Sequence, residues 1–164
     1  MSGYGDVLLV EDNQADVRLT MHILSEIRNI HRVQVARDGE QALNLIFGAD
    51  HVASKAPVAV FTLVLLDLKL PKINGVEVLK ELKENEATKA MPVVVFSSSR
   101  QVSDVDRCYQ LGANGYVQKP VAFEHFEDMV RRIADFWLGA NLTASPAAFC
   151  ELVSPKYKSE TGQT

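Results

Sequence analysis

The 164-residue sequence has only two cysteines, no long apolar run and no excess of basic residues. Cys108 and Cys150 form no CxxC pair and no disulfide framework, so they read as reduced thiols kept for packing. The longest apolar stretch, Val58 to Leu66, is interrupted by Thr62 and falls far short of the ~18–20 residues of a spanning helix. The opening Met-Ser-Gly-Tyr-Gly-Asp lacks the basic region and apolar core of a secretory signal, so a cytoplasmic location and no membrane partner are expected. With 17 basic against 21 acidic residues, the net charge of -4 leaves no general footprint for nucleic acid. There is no internal repeat. The length suits one ordinary domain, with 47% of residues apolar and 23% charged.

What is present is an alternation of short apolar runs with helical periodicities. The runs are Val7–Val10, Val33–Ala36, Val60–Leu66, Val93–Phe96 and Gly115–Gln118. Nearly continuous apolar strands are buried on both faces, as in a parallel sheet between helices, and the alternation predicts a doubly wound α/β fold. Leu19, Ile23 and Ile27 mark the buried stripe expected of a first helix, and Gly39–Phe47 reads as a second. A third begins behind the Asn74-Gly75 turn, with Val76, Val78, Leu79 and Leu82. Ser103–Leu111 reads as a fourth, with Ser103 as N-cap and Gly112 as its stop. Phe126, Met129, Val130, Ile133, Phe136 and Trp137 give a fifth, and most of the aromatics Phe123, Phe126, Phe136 and Trp137 are expected in the core. Residues 48–57 read as a surface loop.

In an open parallel α/β sheet, ligands bind beyond the carboxyl ends of the strands. The polar residues there are Glu11 and Asp12 after the first strand, Asp67 after the third, Ser97 at the fourth, and Lys119-Pro120 after the fifth. Each has an ordinary explanation taken singly: acidic residues cap helices, and Asp67 and Lys119-Pro120 suit turns. Together they bring three carboxylates, a hydroxyl and an ammonium to one edge. Three adjacent carboxylates repel one another and call for a cation, and a hard divalent ion such as Mg²⁺ prefers oxygen ligands. The lysine and hydroxyl are then left to hold an anionic oxygen ligand, which phosphate satisfies. The histidines His22, His31, His51 and His125 share no metal-ligand spacing.

The stretches Leu9-Val10-Glu11-Asp12, Leu65-Leu66-Asp67-Leu68-Lys69-Leu70-Pro71, Ser97-Ser98 and Gly112 to Pro120 resemble response-regulator receiver domains of two-component signalling. The resemblance spans about residues 6–138. It implies a CheY-like, flavodoxin-type (βα)5 fold with strand order 2-1-3-4-5. Within the family, the segment Leu9 to Thr20 and Asp135-Phe136-Trp137-Leu138 are most similar to single-domain regulators that partner phytochrome-type histidine kinases. The resemblance implies Asp67 as phosphoacceptor from a kinase phosphohistidine, with Asp12, Glu11, Asp67 and the Lys69 backbone carbonyl holding Mg²⁺. It further implies that Lys119 and Ser97 contact the phosphoryl oxygens, that Tyr116 is an aromatic switch coupled to Ser97, and that a cis Lys119–Pro120 bond aims the lysine.

Lys69 and Ser99 occupy positions that vary in the family and influence acyl-phosphate lifetime, and Ser98 is larger than the Gly or Ala often found after the switch hydroxyl. Val17, Met21 and Leu24, off the main stripe, read either as peripheral core or as part of the kinase-docking face. Residues 139–164, about 26 in all, are too few for a DNA-binding domain with its own core. They read as a disordered tail or, through Leu142, Phe149, Leu152 and Val153, as an arm on a partner. Expected partners are a sensor histidine kinase, a phosphotransfer or effector protein, and a second copy in a homodimer through the fourth helix, fifth strand and fifth helix. A Mg²⁺-dependent phosphohydrolase with an aspartyl nucleophile is the enzymatic alternative. It needs an acid two residues after Asp67, where this chain has Lys69. A phosphate-sink receiver in a phosphorelay is a further alternative.

Overall fold

Leu63, Val64, Leu65 and Leu66 send alternate side chains into two separate cores, the signature of a strand buried on both faces. In the computed structural model, residues 5–49 and 56–144 are described. The strands are β1 (Gly5–Val10), β2 (Ile30–Ala36), β3 (Leu63–Leu66), β4 (Val93–Ser97) and β5 (Gly115–Gln118). They alternate with α1 (Gln14–Ser25), α2 (Gly39–Phe47), α3 (Gly75–Glu84), α4 (Val102–Gln110) and α5 (Phe123–Ala134), and a π-helical segment, Asp135–Ala140, continues α5. The sheet is parallel throughout, in the order β2-β1-β3-β4-β5.

One face of the sheet carries Leu8, Val10, Val64, Leu66, Val93 and Val95 against α2 and α3. The other carries Val7, Leu9, Leu63, Leu65, Val94 and Phe96 against α1 and α5. At roughly 1.5–3 kcal/mol for each fully buried aliphatic side chain, these two cores are the main favourable contribution to folding.

Several boundaries differ from expectation. β3 starts at Leu63 rather than Val60, because the Val58 and Ala59 amides both donate to the Ile46 carbonyl and turn that stretch over the end of α2. The buried residues of α1 are Val17, Thr20, Ile23 and Leu24, with Leu19 and Ile27 only half-buried. Val17 and Leu24 are thus core rather than docking surface, and half-buried Met21 packs on the same core. Gln101, not Ser103, precedes α4, and it makes no side-chain capping bond. Gly112 does stop α4, at φ +100°, a conformation that favours glycine. Of the four aromatics expected mostly in the core, Phe126 is buried against Phe96, Trp137 is half-buried, and Phe123 and Phe136 are exposed. The buried face of α5 runs through Phe126, Val130, Ile133 and Ala134 and continues to Trp137, which leaves Phe136 beyond its edge. Phe149, Cys150, Leu152, Val153 and His51 lie outside the described residues.

Candidate functional site

Strand register assembles the site. Val10 is aligned with Leu66, so the next residues, Glu11 and Asp67, emerge side by side at the carboxyl edge. The ladder continues past the strands: Glu11 N–H donates to Ala36, Asp67 N–H to Val10, and Lys119 N–H to Ser97. Ser97 pairs with Gln118, which brings the Lys119 stem to the same edge. Glu11, Asp67, Ser97 and Lys119 are all buried, while Asp12 is exposed.

Side-chain oxygens of Glu11, Asp12 and Asp67 lie within 4.8 Å of one another and form an acidic metal-binding site. Hard carboxylate oxygens, one of them facing solvent, fit a divalent cation that keeps part of its water shell. No histidine belongs to the group. Lys119 Nζ bonds Glu11 and lies 3.1 Å from Asp16 and 3.3 Å from Asp67. The Phe96 ring centroid is 5.9 Å from the ammonium. Asp67 uses its second oxygen to accept from the Leu68 amide at 2.8 Å, and Glu11 accepts from the Asn13 amide at 3.0 Å.

Burial lifts the Glu11 carboxyl to about 7, with the hydrogen bond from Lys119 opposing the rise and the Asp67 charge adding to it. Burial alone would lower the Lys119 ammonium, but its bond to Glu11 and the charges of Asp67 and Glu11 outweigh that and raise it. The lysine therefore stays protonated among the carboxylates.

Ser97 Oγ accepts from the Ser99 amide at 3.2 Å. Half-buried Tyr116 donates its hydroxyl to the Ser99 carbonyl at 3.1 Å, two residues beyond Ser97. Lys69 lies with its side chain exposed in the loop after Asp67. The Lys119–Pro120 bond corrects expectation: no peptide among the described residues is cis. An X–Pro bond favours trans by about 0.5–1 kcal/mol, and Lys119 reaches three carboxylates from that isomer.

Two contacts were not read from the sequence. Asp16 reaches Lys119 from the first turn of α1, a placement that no motif in the sequence signals. Tyr109 accepts the Tyr116 backbone N–H at 3.2 Å, joining α4 to β5.

A parallel sheet of this order with an acidic trio, a buried hydroxyl and a buried lysine on its carboxyl edge defines a receiver-type phosphoacceptor protein. Residues 7–131 match the model of the response regulator receiver domain, and the chain belongs to that family. It is a receiver-domain response regulator rather than a conventional enzyme. The probable methanogenesis regulatory protein FilR2 of Methanothrix harundinacea is 38% identical over 141 residues, 86% of this chain and 88% of that one. Response regulator Rcp1 of Synechocystis is 38% identical over 133 residues, 80% of this chain and 88% of its own length. The crystal structure of the Mn²⁺-bound form of Rcp1 superposes with a TM-score of 0.77 at 36% identity, covering 86% of this chain and 99% of that one. The phosphorylated cyanobacterial phytochrome response regulator RcpA gives a TM-score of 0.80 at 34% identity, covering 87% and 100%. No helix among the described residues is long and apolar enough to cross a membrane.

Proposed function

We propose that Asp67 accepts a phosphoryl group from the phosphohistidine of a phytochrome-type sensor kinase. The observation that carries this reading is the placement of Asp67 beside two further carboxylates and a buried ammonium at the sheet edge. A carboxylate oxygen of Asp67 attacks phosphorus as the phosphorus–nitrogen bond of the kinase histidine breaks, and the imidazole leaves with the bond's electron pair. Glu11, Asp12, Asp67 and the Lys69 carbonyl are the residues to hold Mg²⁺, which supplies positive charge for the phosphoryl oxygens. Lys119 pairs with one of those oxygens and Ser97 donates to another. The bond from Tyr116 to Ser99 links movement at Ser97 to α4 and β5. Signalling then proceeds through an altered surface offered to a phosphotransfer or effector protein, in the cytoplasm where the kinase transmitter acts. The receiver comprises residues 6–138, followed by the tail 139–164.

The test is transfer from a phosphorylated cyanobacterial phytochrome kinase in Mg²⁺. Wild type becomes labelled and Asp67→Asn does not. An unlabelled wild type, or sustained turnover of a small phosphate ester, would overturn the reading.

A homodimer through α4, β5 and α5 is supported by the apolar side chains this face leaves to solvent. Val102 is 72% exposed, Tyr109 51% and Phe123 58%. Val102 and Tyr109 belong to α4 and Phe123 to α5, two of the three elements of the proposed contact. Light scattering with and without phosphorylation should give twice the monomer mass in at least one state; a monomer in both sinks the dimer.

A further inference from the structure

Lys119 makes one contact that neither the acidic trio nor the phosphoacceptor explains. Its Nζ lies 3.1 Å from Asp16 Oδ2, no farther than the 3.3 Å to Asp67. Asp16 stands outside the three residues whose oxygens cluster for a metal. Its backbone is fixed by the start of α1: Asp16 N–H donates to Asn13 Oδ1 at 3.0 Å, and Asn13 N–H donates to Glu11 Oε1 at 3.0 Å. Glu11 and Asp16 thus belong to one hydrogen-bonded turn and both bond the same ammonium.

That arrangement meets a conflict built into the site. An ammonium bonded to Glu11 and Asp67 occupies oxygens that a divalent cation also needs, and like charges cannot share them cheaply. The lysine has to yield those oxygens yet stay at the edge, because the phosphoryl group arrives on Asp67. Removal to bulk water would cost ordering again at the moment of transfer. A carboxylate beside the trio, but not of it, gives the ammonium somewhere to go. Asp16 is also the more solvent-exposed partner, with 31% of its side chain accessible against 3% for Glu11. Its bond to Lys119 can therefore lengthen or shorten without stranding a buried charge.

Resting on the metal and lysine roles above, we propose that Asp16 is a positioning residue that draws Lys119 off Glu11 and Asp67 as a divalent cation binds, and holds it at the site. Asp16 thereby raises cation affinity through Lys119 rather than through its charge alone.

The test is a double-mutant cycle in the full chain, with Mn²⁺ as the probe and free Mn²⁺ measured by electron paramagnetic resonance. Asp16→Asn should weaken Mn²⁺ binding by about fivefold in wild type, and by less than about twofold in a Lys119→Met background. Asp16→Glu should restore most of the affinity. A loss of the same size in both backgrounds, or no loss in wild type, overturns the proposal, since a bare charge effect needs no lysine. Should Lys119→Met fail to fold, the side-chain ammonium resonance of Lys119 in Mg²⁺-saturated protein decides. An ordered signal in wild type that is lost in Asp16→Asn supports the role, and one unchanged in Asp16→Asn overturns it. Because both readouts are independent of phosphoryl transfer, failure of labelling at Asp67 is distinguishable from failure of the Asp16 coupling.

Discussion

Lys83 is the counterpart of Lys119 at the other end of the sheet, and its partners are all neutral. Its Nζ donates to the Lys89 carbonyl at 3.0 Å, the Met91 carbonyl at 2.7 Å and the Asn114 side chain at 2.8 Å. Asn114 Oδ1 also accepts from the Val93 amide, so one lysine ties the end of α3 to the starts of β4 and β5. Lys83→Met leaves these oxygens poorly satisfied and should cost about 1–3 kcal/mol in urea unfolding. Burial lowers this ammonium to about 8, so between there and its ordinary 10.5 the unfolded chain binds a proton that the folded chain has released. Stability contributed by Lys83 therefore rises with pH across that window. The gap between wild type and Lys83→Met should widen by roughly 1–3 kcal/mol from the bottom of the window to the top. A gap that stays constant would show that Lys83 keeps its proton. The residues of the main site were legible in the sequence because each stands at a strand end within a contiguous motif. Lys83 and Asp16 were not, because neither belongs to such a motif: Lys83 meets two backbone carbonyls and Asn114, 31 positions away, and Asp16 meets Lys119, 103 positions away.

At the scale of elements, the start of α3 is held against the loop that carries Asp67. Asn74 and Glu77 form a reciprocal cap, and the Gly75 amide donates to the Leu68 carbonyl at 2.9 Å. A Cβ on Gly75 would lie 2.1 Å from the Asp67 carbonyl oxygen and 2.7 Å from Leu68 Cα, both backbone atoms that cannot swing aside. Gly75→Ala should therefore destabilise the fold by roughly 1–3 kcal/mol and also slow labelling of Asp67. Gly139→Ala, whose Cβ would meet nothing within 4 Å, is the control and should do neither. Equal behaviour of the two variants in both assays would dissociate α3 packing from the position of Asp67. Asn74-Gly75 was readable as a turn before a helix, but not as the contact that fixes the acceptor. Helix stripes were legible only in part. Val17 and Leu24 enter the core because two neighbouring columns of α1 face the sheet and α5, whereas a strict four-residue spacing picks out just one. Phe136 is exposed because the buried face of α5, through Phe126, Val130, Ile133 and Ala134, continues to Trp137 and leaves Phe136 beyond its edge, a distinction that a run of apolar residues at mixed spacings of three and four does not make.

For the whole molecule, alternating strands and helices established the parallel α/β class, while the strand order came from the family resemblance, since periodicity says nothing about which strands are neighbours. That order places β1 and β3 together at the centre, and with them Glu11, Asp12 and Asp67. Folding therefore has to bring three carboxylates together, with Lys119 offsetting part of their repulsion. A divalent cation that binds only the folded arrangement should stabilise the entire domain, by about 2.7 kcal/mol at a hundredfold excess over its Kd. For a domain of this size that is a rise of roughly 5–10 °C in Tm between chelator and saturating Mg²⁺. Asp12→Asn removes the exposed member of the trio without opening the core, so it should fold normally and lose most of the Mg²⁺-dependent rise. Differential scanning calorimetry of both proteins in chelator and in Mg²⁺ checks this. An equal rise in wild type and Asp12→Asn would place the stabilising cation elsewhere on the molecule, and no rise in wild type would leave the trio without a metal to hold.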